Sequence, residues 1–331
     1  MTTTPANFVL RAATTLSLAW ILFLGSPARA AGPEQSPEPI CCSRCEPRPQ
    51  DEVWLVNARG LGCPSGGAPD LRVSRFDPAS KEWIDASLGE IQSAPPMPLM
   101  VYVHGNRVED WEALSLGWEA YCGLARTAGE APFRFVIWSW PSAQIRGPIK
   151  DARLKADRAD SHAWYLGWFL NQMPEEQPIG LVGFSYGGRV ITGALDALGG
   201  GTVAGRTLDL PAAKEGATKT ARLIRAVLMS PAVDSCWLCP GGCEDRAADA
   251  SERLLVFYNP CDPALKRFRV TDKCSKPDAL GYTGLPCNLV LASGASAEEF
   301  NTSGYVGREH NSYTYLRSST LMRMTREVVL P

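Results

Sequence analysis

The stretch IGLVGFSYGGRVITGALDAL, residues 179–198, decides the fold class that the sequence predicts. Its first six residues form an apolar run without alternation, which is typical of a strand buried on both faces of a parallel sheet. From residue 188 onward, apolar side chains recur at helical spacing. Between the two segments lies GFSYG, with Ser185 at its centre. The stretch therefore predicts a strand, a tight turn that carries Ser185, and a helix.

A G-x-S-x-G turn in this setting is typical of a nucleophile elbow, in which a strained serine exposes its hydroxyl at the carboxyl edge of the sheet. Gly183 and Gly187 would remove side chains where the strand and the helix approach closely. The N-terminus of the helix would favour negative charge beside the serine. We predict that Ser185 is a nucleophile. The alternative is a glycine-rich strand-to-helix loop without chemistry.

A serine nucleophile needs a base, and the chain has three histidines, His104, His162 and His310. In hydrolases built around such an elbow, the order along the chain is nucleophile, acid, histidine. Only His310 follows Ser185, and it lies in the polar segment GREHN before the last helical pattern. We therefore predict His310 as the general base and expect His162 to be structural.

The acid that orients His310 should follow a strand between the elbow and that histidine. Asp262 follows the run LLVFY, and Asp234 follows the run AVLMS. We favour Asp262 because it comes after the seventh strand-like run, the common position of the acid in this chain order. Asp234 stays open as the alternative acid, and turn formation is the non-catalytic interpretation of either aspartate.

A serine hydrolase also needs two backbone N–H groups aimed at the developing oxyanion. We predict that Tyr186, the residue after the nucleophile, supplies one of them. The run LMVYV leads into HGNR, residues 104–107, where Gly105 would let the backbone approach the substrate. We predict that the N–H of Asn106 is the second donor, and that His104 holds this loop rather than acting as a base.

The rest of the chain alternates strand-like and helix-like segments, which indicates a mostly parallel sheet covered by helices on both faces. The eight strand-like runs are residues 53–56, 71–76, 99–103, 133–140, 179–184, 224–229, 254–258 and 289–292. The helical patterns are residues 110–125, 151–173, 188–198 and 313–330. We predict an α/β domain with a sheet of about eight strands over residues 51–331.

The N-terminus predicts export. Arg11, an apolar stretch at residues 16–24 and Ala28-Arg29-Ala30 describe a signal peptide over residues 1–30, cleaved after Ala30. An uncleaved N-terminal anchor is the alternative. No later stretch is apolar enough for a membrane span. A Pro/Cys-rich arm follows at residues 31–50. We expect a secreted or periplasmic protein.

Charge and cysteine content narrow the function further. Without residues 1–30 the chain has 31 basic and 35 acidic side chains, which gives no electrostatic case for nucleic acid binding.

In an exported protein, eleven cysteines favour disulfides, and their odd number leaves at least one thiol unpaired within the chain. Zinc at the spacing Cys236-x2-Cys239 is the alternative. The pairing and the oligomeric state are open, and we expect no cofactor.

Three motifs resemble a known family. VYVHGNR (residues 101–107), FVIWSWPS (residues 135–142) and LVGFSYGGR (residues 181–189) are similar to those of a bacterial α/β-hydrolase family of unknown function. The resemblance covers roughly residues 99–198. It implies the α/β-hydrolase fold and a triad of Ser185, Asp262 and His310, and it implies no substrate.

The HGNR turn departs from that family's pattern, in which an apolar or aromatic residue follows HG, and this departure puts a charged Arg107 at the mouth of the predicted site. Arg107 would either attract an anionic substrate group or pair with Glu109 or Asp110, and we favour pairing. The cysteine clusters are a second departure.

The sequence thus favours a carboxylesterase-like serine hydrolase that cleaves ester, thioester or amide bonds of a small-molecule or acyl substrate through an acyl-enzyme. The alternative is a non-catalytic binding or cell-surface protein with the same fold, which the cysteine clusters favour. Four aromatic residues near the motifs would line an apolar pocket or, in the simpler interpretation, pack in the core: Trp138, Trp140, Phe184 and Tyr186.

Overall fold

The computed structural model describes residues 45–65, 67–210, 224–270 and 277–330. The predicted signal peptide, residues 31–44 of the predicted arm and three of the eleven cysteines (Cys41, Cys42 and Cys274) lie outside the described residues. Within the described ranges, no helix is both long and apolar enough to cross a membrane.

Nine strands of the described chain form one mixed sheet, in the order β3-β2-β1-β5-β4-β6-β7-β8-β9. Neighbours are parallel except at the β1–β2 and β2–β3 pairs, which are antiparallel. The strands are β1 (Glu52–Asn57), β2 (Arg72–Asp77), β3 (Glu82–Ala86), β4 (Leu99–Val103), β5 (Arg134–Ser139), β6 (Ile179–Phe184), β7 (Ile224–Met229), β8 (Arg253–Tyr258) and β9 (Glu298–Asn301).

Helices connect most of the parallel strands. They are α1 (Leu88–Ser93), α2 (Asp110–Ala125), α3 (Pro148–Asn171), α4 (Tyr186–Leu198), α5 (Leu280–Thr283), α6 (Ser303–Val306), α7 (Ser312–Arg317) and α8 (Ser319–Val329). Two 3₁₀ helices, Asp245–Ala250 and Leu265–Val270, precede and follow β8.

The central strands are buried on both faces, which explains their unbroken apolar runs. In β4, Val101 and Val103 pack in a core with residues of α3 and α4, while Met100 and Tyr102 pack in a second core with residues of α2 and α8. Alternate side chains of one strand therefore enter opposite layers. The predicted fold class is confirmed: the chain has the α/β-hydrolase fold, a mostly parallel sheet with helices on both faces.

Three details of the sequence prediction are wrong. Residues 289–292 form no ladder strand: Leu289 and Leu291 are buried in the core, and Val290 makes an isolated bridge to Ser296. The sequence prediction lacks the edge strands β3 and β9, because both are largely polar and exposed and neither has an apolar run. The C-terminal pattern is two helices rather than one, because Ser318 ends α7 and caps α8.

Candidate active site

The predicted elbow lies between β6 and α4. Ser185 has φ 54° and ψ −119°, a left-handed conformation that is costly for a residue with a side chain. Three backbone hydrogen bonds hold it there. Its N–H donates to the Met229 carbonyl at 2.9 Å, and its carbonyl accepts from Gly188 at 2.9 Å and from Ala232 at 3.0 Å. Strand β7 and the loop after it therefore sustain the strain at Ser185.

The elbow's glycines are required by close backbone contact. A Cβ at Gly187 would overlap the Val103 carbonyl oxygen, and one at Gly183 would lie 2.7 Å from the carbonyl oxygen of Gly187. No side chain fits at either position without displacing β4 or α4. The turn thus seats Ser185 at the carboxyl ends of the parallel strands β4 and β6.

Three residues from separate loops form a hydrogen-bonded chain. The Oγ of Ser185 lies 2.8 Å from Nε2 of His310, and Nδ1 of His310 lies 2.5 Å from Oδ2 of Asp262. With Asp262 as acceptor, Nδ1 carries the hydrogen and Nε2 is free to accept from the serine hydroxyl. The predicted nucleophile, base and favoured acid therefore meet in the order their proposed roles require.

Asp262 follows β8 and is fully buried. Its Oδ1 accepts the N–H groups of Ala264 at 2.8 Å and Leu265 at 3.1 Å, which leaves Oδ2 directed at His310. Asp234 instead closes a turn after β7, where its Oδ1 accepts the N–H of Cys236 at 2.9 Å. In the described part of the chain, Asp262 contacts the histidine and Asp234 does not.

His310 lies in residues 307–311, which we call the α6–α7 loop. Asn259 donates from Nδ2 to the Gly307 carbonyl at 3.0 Å at one end, and Asn311 caps α7 at the other. The His310 ring packs on Phe184, with 4.9 Å between ring centroids. Its side chain is 19% exposed, so a substrate can reach it.

Residues 104–107, which we call the β4 loop, lie directly against the serine. A Cβ at Gly105 would come within 3.3 Å of the Ser185 Cβ. The N–H groups of Asn106 and Tyr186 have no hydrogen-bond acceptor among the described residues, whereas the N–H of Arg107 donates to the Ser142 carbonyl at 2.8 Å. The two unpaired N–H groups are the two that the sequence predicts as oxyanion donors.

His104 serves its own loop. It is fully buried, and its Nδ1 donates to the Gly105 carbonyl at 3.0 Å while its Nε2 accepts the N–H of Trp140 at 3.2 Å. The indole Nε1 of Trp140 in turn donates a hydrogen bond to the His104 carbonyl at 2.8 Å. Burial lowers the pKa of His104 to about 3, so the ring is neutral at pH 7.

Arg107 does not pair as predicted. Its Nε binds Oδ2 of Asp151 at 2.9 Å, while Asp110, one of the two expected partners, binds Arg59. Asp151 lies in the first turn of α3, 44 residues from Arg107 along the chain. The sequence interpretation used Asp151 only as the start of a helical pattern, because no linear signal links an acid at a helix start to a distant loop.

The aromatic residues divide between core and site. Trp138 and Trp140 are fully buried in the core, so the simpler interpretation holds for both. Tyr186 is also buried, and its hydroxyl donates to the Ala152 carbonyl at 3.0 Å. Of the four, Phe184 contacts the histidine of the hydrogen-bonded chain.

The cysteines near β7 form one disulfide in the described residues, between Cys239 and Cys287. That bond takes Cys239 out of the Cys236-x2-Cys239 spacing, where zinc was the alternative to disulfides. Within the same residues, no group of three or more His, Cys, Asp or Glu side chains is placed to hold a metal ion.

Comparisons with known proteins give distant likenesses. No protein-family model and no curated protein sequence matches the chain. Esterase B from Lactobacillus Rhamnosis (HN001) superposes with a TM-score of 0.38 at 12% identity, over 86% of this chain and 85% of its own. An esterase/lipase from an uncultured bacterium gives 0.30 at 13%, over 79% and 87%. An esterase of Pyrobaculum calidifontis gives 0.31 at 13%, over 78% of each chain. At 12–13% identity and TM-scores of 0.30–0.38, these likenesses assign no activity to this chain.

Proposed function

We propose that this protein is a serine hydrolase that cleaves carboxylic ester bonds through an acyl-enzyme. One observation carries the proposal: the chain of hydrogen bonds Asp262–His310–Ser185 ends beside two unpaired backbone N–H groups. Nucleophile, base, orienting acid and oxyanion donors are the full set of parts that acyl transfer needs.

In the first half of the reaction, the Ser185 Oγ attacks the carbonyl carbon of the ester while Nε2 of His310 takes the hydroxyl proton. The carbonyl oxygen becomes an oxyanion that accepts hydrogen bonds from the N–H groups of Asn106 and Tyr186. When the tetrahedral intermediate collapses, His310 gives its proton to the departing alkoxide. An alcohol leaves, and the acyl group stays on Ser185.

In the second half, water takes the place of the alcohol. His310 removes a proton from the water as the oxygen attacks the acyl carbon, and the same two N–H groups hold the second oxyanion. Collapse returns the proton to the Ser185 Oγ and releases the carboxylic acid. The buried carboxylate of Asp262 keeps the imidazole in the required tautomer and stabilises it while it is charged.

Carboxylic esters are the first substrate class because their alkoxide leaving group needs less protonation by His310 than the amine of an amide does. Thioesters and amides can follow the same path, since the steps at Ser185 and His310 are common to all acyl transfers. The exposed edge of the His310 ring beside Phe184 would border the bound substrate.

We propose further that the protein acts outside the cytoplasm, in a periplasm or in the medium. The support is the sequence of residues 1–30, with its basic start, apolar stretch and small-residue cleavage site. The Cys239–Cys287 disulfide fits an oxidising compartment.

The test is hydrolysis of a chain-length series of p-nitrophenyl esters, with thioester and amide analogues, by purified wild type and Ser185→Ala. We expect turnover that Ser185→Ala loses. Ser80→Ala, in the turn between β2 and β3, is the matched control and should retain the wild-type rate. A wild type no faster than Ser185→Ala on every substrate would favour the non-catalytic alternative.

A further inference from the structure

One buried carboxylate, that of Asp151, ties the β4 loop to the rest of the protein. Asp151 lies in the first turn of α3 and is fully buried. Its Oδ2 accepts Nδ2 of Asn106 at 3.1 Å and Nε of Arg107 at 2.9 Å. Two consecutive side chains of the loop therefore converge on a single carboxylate oxygen.

The other oxygen of Asp151 is anchored in the opposite direction. Oδ1 accepts the N–H of Ile145 at 3.0 Å and Nζ of Lys155 at 3.0 Å. Lys155 is itself fully buried, and it also donates to the Ala143 carbonyl at 2.6 Å. The carboxylate thus bridges the β4 loop and the segment that leads into α3.

A buried carboxylate is costly in free energy unless it is paired and hydrogen-bonded. Movement of any one donor away from Asp151 would therefore leave a buried charge partly uncompensated, which favours a fixed arrangement. Burial alone would raise the pKa of Asp151, but hydrogen bonds from Arg107, the Ile145 N–H and Lys155 outweigh it and hold the pKa below its ordinary value. The anion persists at neutral pH.

The contacts of the β4 loop fix the peptide that carries the Asn106 N–H. Asn106 gives its Nδ2 to Asp151 and accepts the N–H of Arg107 on its Oδ1 at 2.8 Å. Arg107 has φ 58°, a left-handed conformation, and it is held by Ser142 through its backbone and by Asp151 through its side chain. These bonds therefore hold Asn106 and Arg107 in place, and the N–H of Asn106 takes part in none of them.

We propose that Asp151 is a positioning residue that holds the Asn106 N–H in place for the oxyanion, an inference that rests on the proposed function. Donors aimed in advance at the developing charge are what such a site needs.

The test compares Asp151→Asn with wild type on the best p-nitrophenyl ester. We expect kcat to fall by about 10–100-fold, since displacement of one oxyanion donor acts on the transition state. KM should stay within about twofold, because the ground-state ester makes little use of that donor. Affinity for a trifluoromethyl ketone of the same acyl chain should fall with kcat/KM, since its serine adduct carries the oxyanion.

Glu252→Gln is the matched control. It removes a partly buried ion pair with Arg225, at 3.1 Å, at the opposite ends of strands β7 and β8 from Ser185. This variant should keep the wild-type kcat and ketone affinity even if its thermal stability falls. A loss of kcat in Glu252→Gln as large as in Asp151→Asn would mean that general destabilisation explains both.

A second variant keeps the test decisive if Asp151→Asn folds poorly. Asn106→Ala retains the backbone N–H but loses the side-chain bond to Asp151, so it should show the same drop in kcat with little change in KM. The double variant should lose less than the product of the two single effects. An active wild type with unchanged kcat in both single variants would overturn the inference alone. A wild type that neither hydrolyses esters nor binds the ketone would overturn the proposed function.

Discussion

The two loops beside Ser185 each carry a histidine, and the two histidines are used in opposite ways. In the β4 loop, both ring nitrogens of His104 are bound within the buried network of that loop and Trp140. In the α6–α7 loop, the ring nitrogens of His310 contact Ser185 and Asp262, which both lie outside that loop, and the His310 side chain is partly exposed. The first ring is bound within its own loop, and the second is the one that moves a proton in the proposed mechanism.

In the proposed function, the hydrogen-bond partners and burial of each histidine assign its role, since both histidines lie in loops beside Ser185. Burial lowers the pKa of His104 to about 3, which keeps it neutral and fixed at neutral pH. A fixed loop suits oxyanion donors, which must be in place before charge develops. The predictions that follow test this division of labour.

The largest effect should come from exchanging each histidine for glutamine. His310→Gln should lower kcat/KM by about 10⁴-fold or more, because no base would remain on Ser185. His104→Gln should retain activity within about 100-fold, because it disturbs the β4 loop rather than removes a proton acceptor. Steady-state rates on one ester measure both. Comparable losses in the two variants would erase the distinction.

The two aspartates extend the comparison to the partner of His310. Asp262→Asn should cost about 10⁴-fold in kcat, because the amide would favour the wrong imidazole tautomer. Asp234→Asn should stay within about threefold of wild type, since its carboxylate closes a turn at the Cys236 N–H. Single-turnover rates distinguish them, and the reverse ranking would move the acid to Asp234.

A smaller effect is expected from one added methyl group in each region. The Cβ of Gly105→Ala would lie 3.1 Å from the Phe184 ring and 3.3 Å from the Ser185 Cβ, which would push the β4 loop from the serine. We expect kcat to fall by about 10-fold or more. Gly304→Ala, in α6 before the His310 loop, has open space around its Cβ and should leave kcat unchanged. Equal effects in both variants would contradict the close packing of the β4 loop.

The last effect is on stability rather than on rate, and it depends on pH. Folding lowers the pKa of His104 from 6.5 to about 3, so the unfolded chain binds more protons at this residue below pH 6.5. Its contribution to stability is complete above pH 6.5 and is lost as the pH falls toward 3, at up to about 1.4 kcal/mol per pH unit. The stability advantage of wild type over His104→Gln should therefore shrink between pH 7 and pH 4. Urea unfolding across this range measures it, and a constant difference would contradict a buried neutral His104.

The sequence predicted those parts of the molecule whose causes are local. Unbroken apolar runs identified the central strands, and Gly183 and Gly187 marked the turn because backbone contact there excludes side chains. Chain order alone singled out His310, the one histidine after Ser185. The strands and the turn follow from neighbouring residues, whereas His310 follows from chain order, and the structure brings its Nε2 within 2.8 Å of the Ser185 Oγ.

What the sequence missed depends on distant contacts or on exposure. Strands β3 and β9 carry few buried side chains, so they lack the apolar run that marks a central strand. The partner of Arg107 was wrong because Asp151 reaches it only after α3 has packed beside the β4 loop. A pairing across 44 residues leaves no trace in local composition.

Covalent labelling with a fluorophosphonate tests the central claim most directly, because the probe reacts with a serine only where a base and an oxyanion site activate it. We expect wild type to gain one adduct on tryptic peptide 159–189, with fragment ions that assign it to Ser185 rather than Ser161. Ser185→Ala and His310→Gln should lose it, and His104→Gln should keep it. An unlabelled wild type, or an adduct that survives Ser185→Ala, would contradict the account.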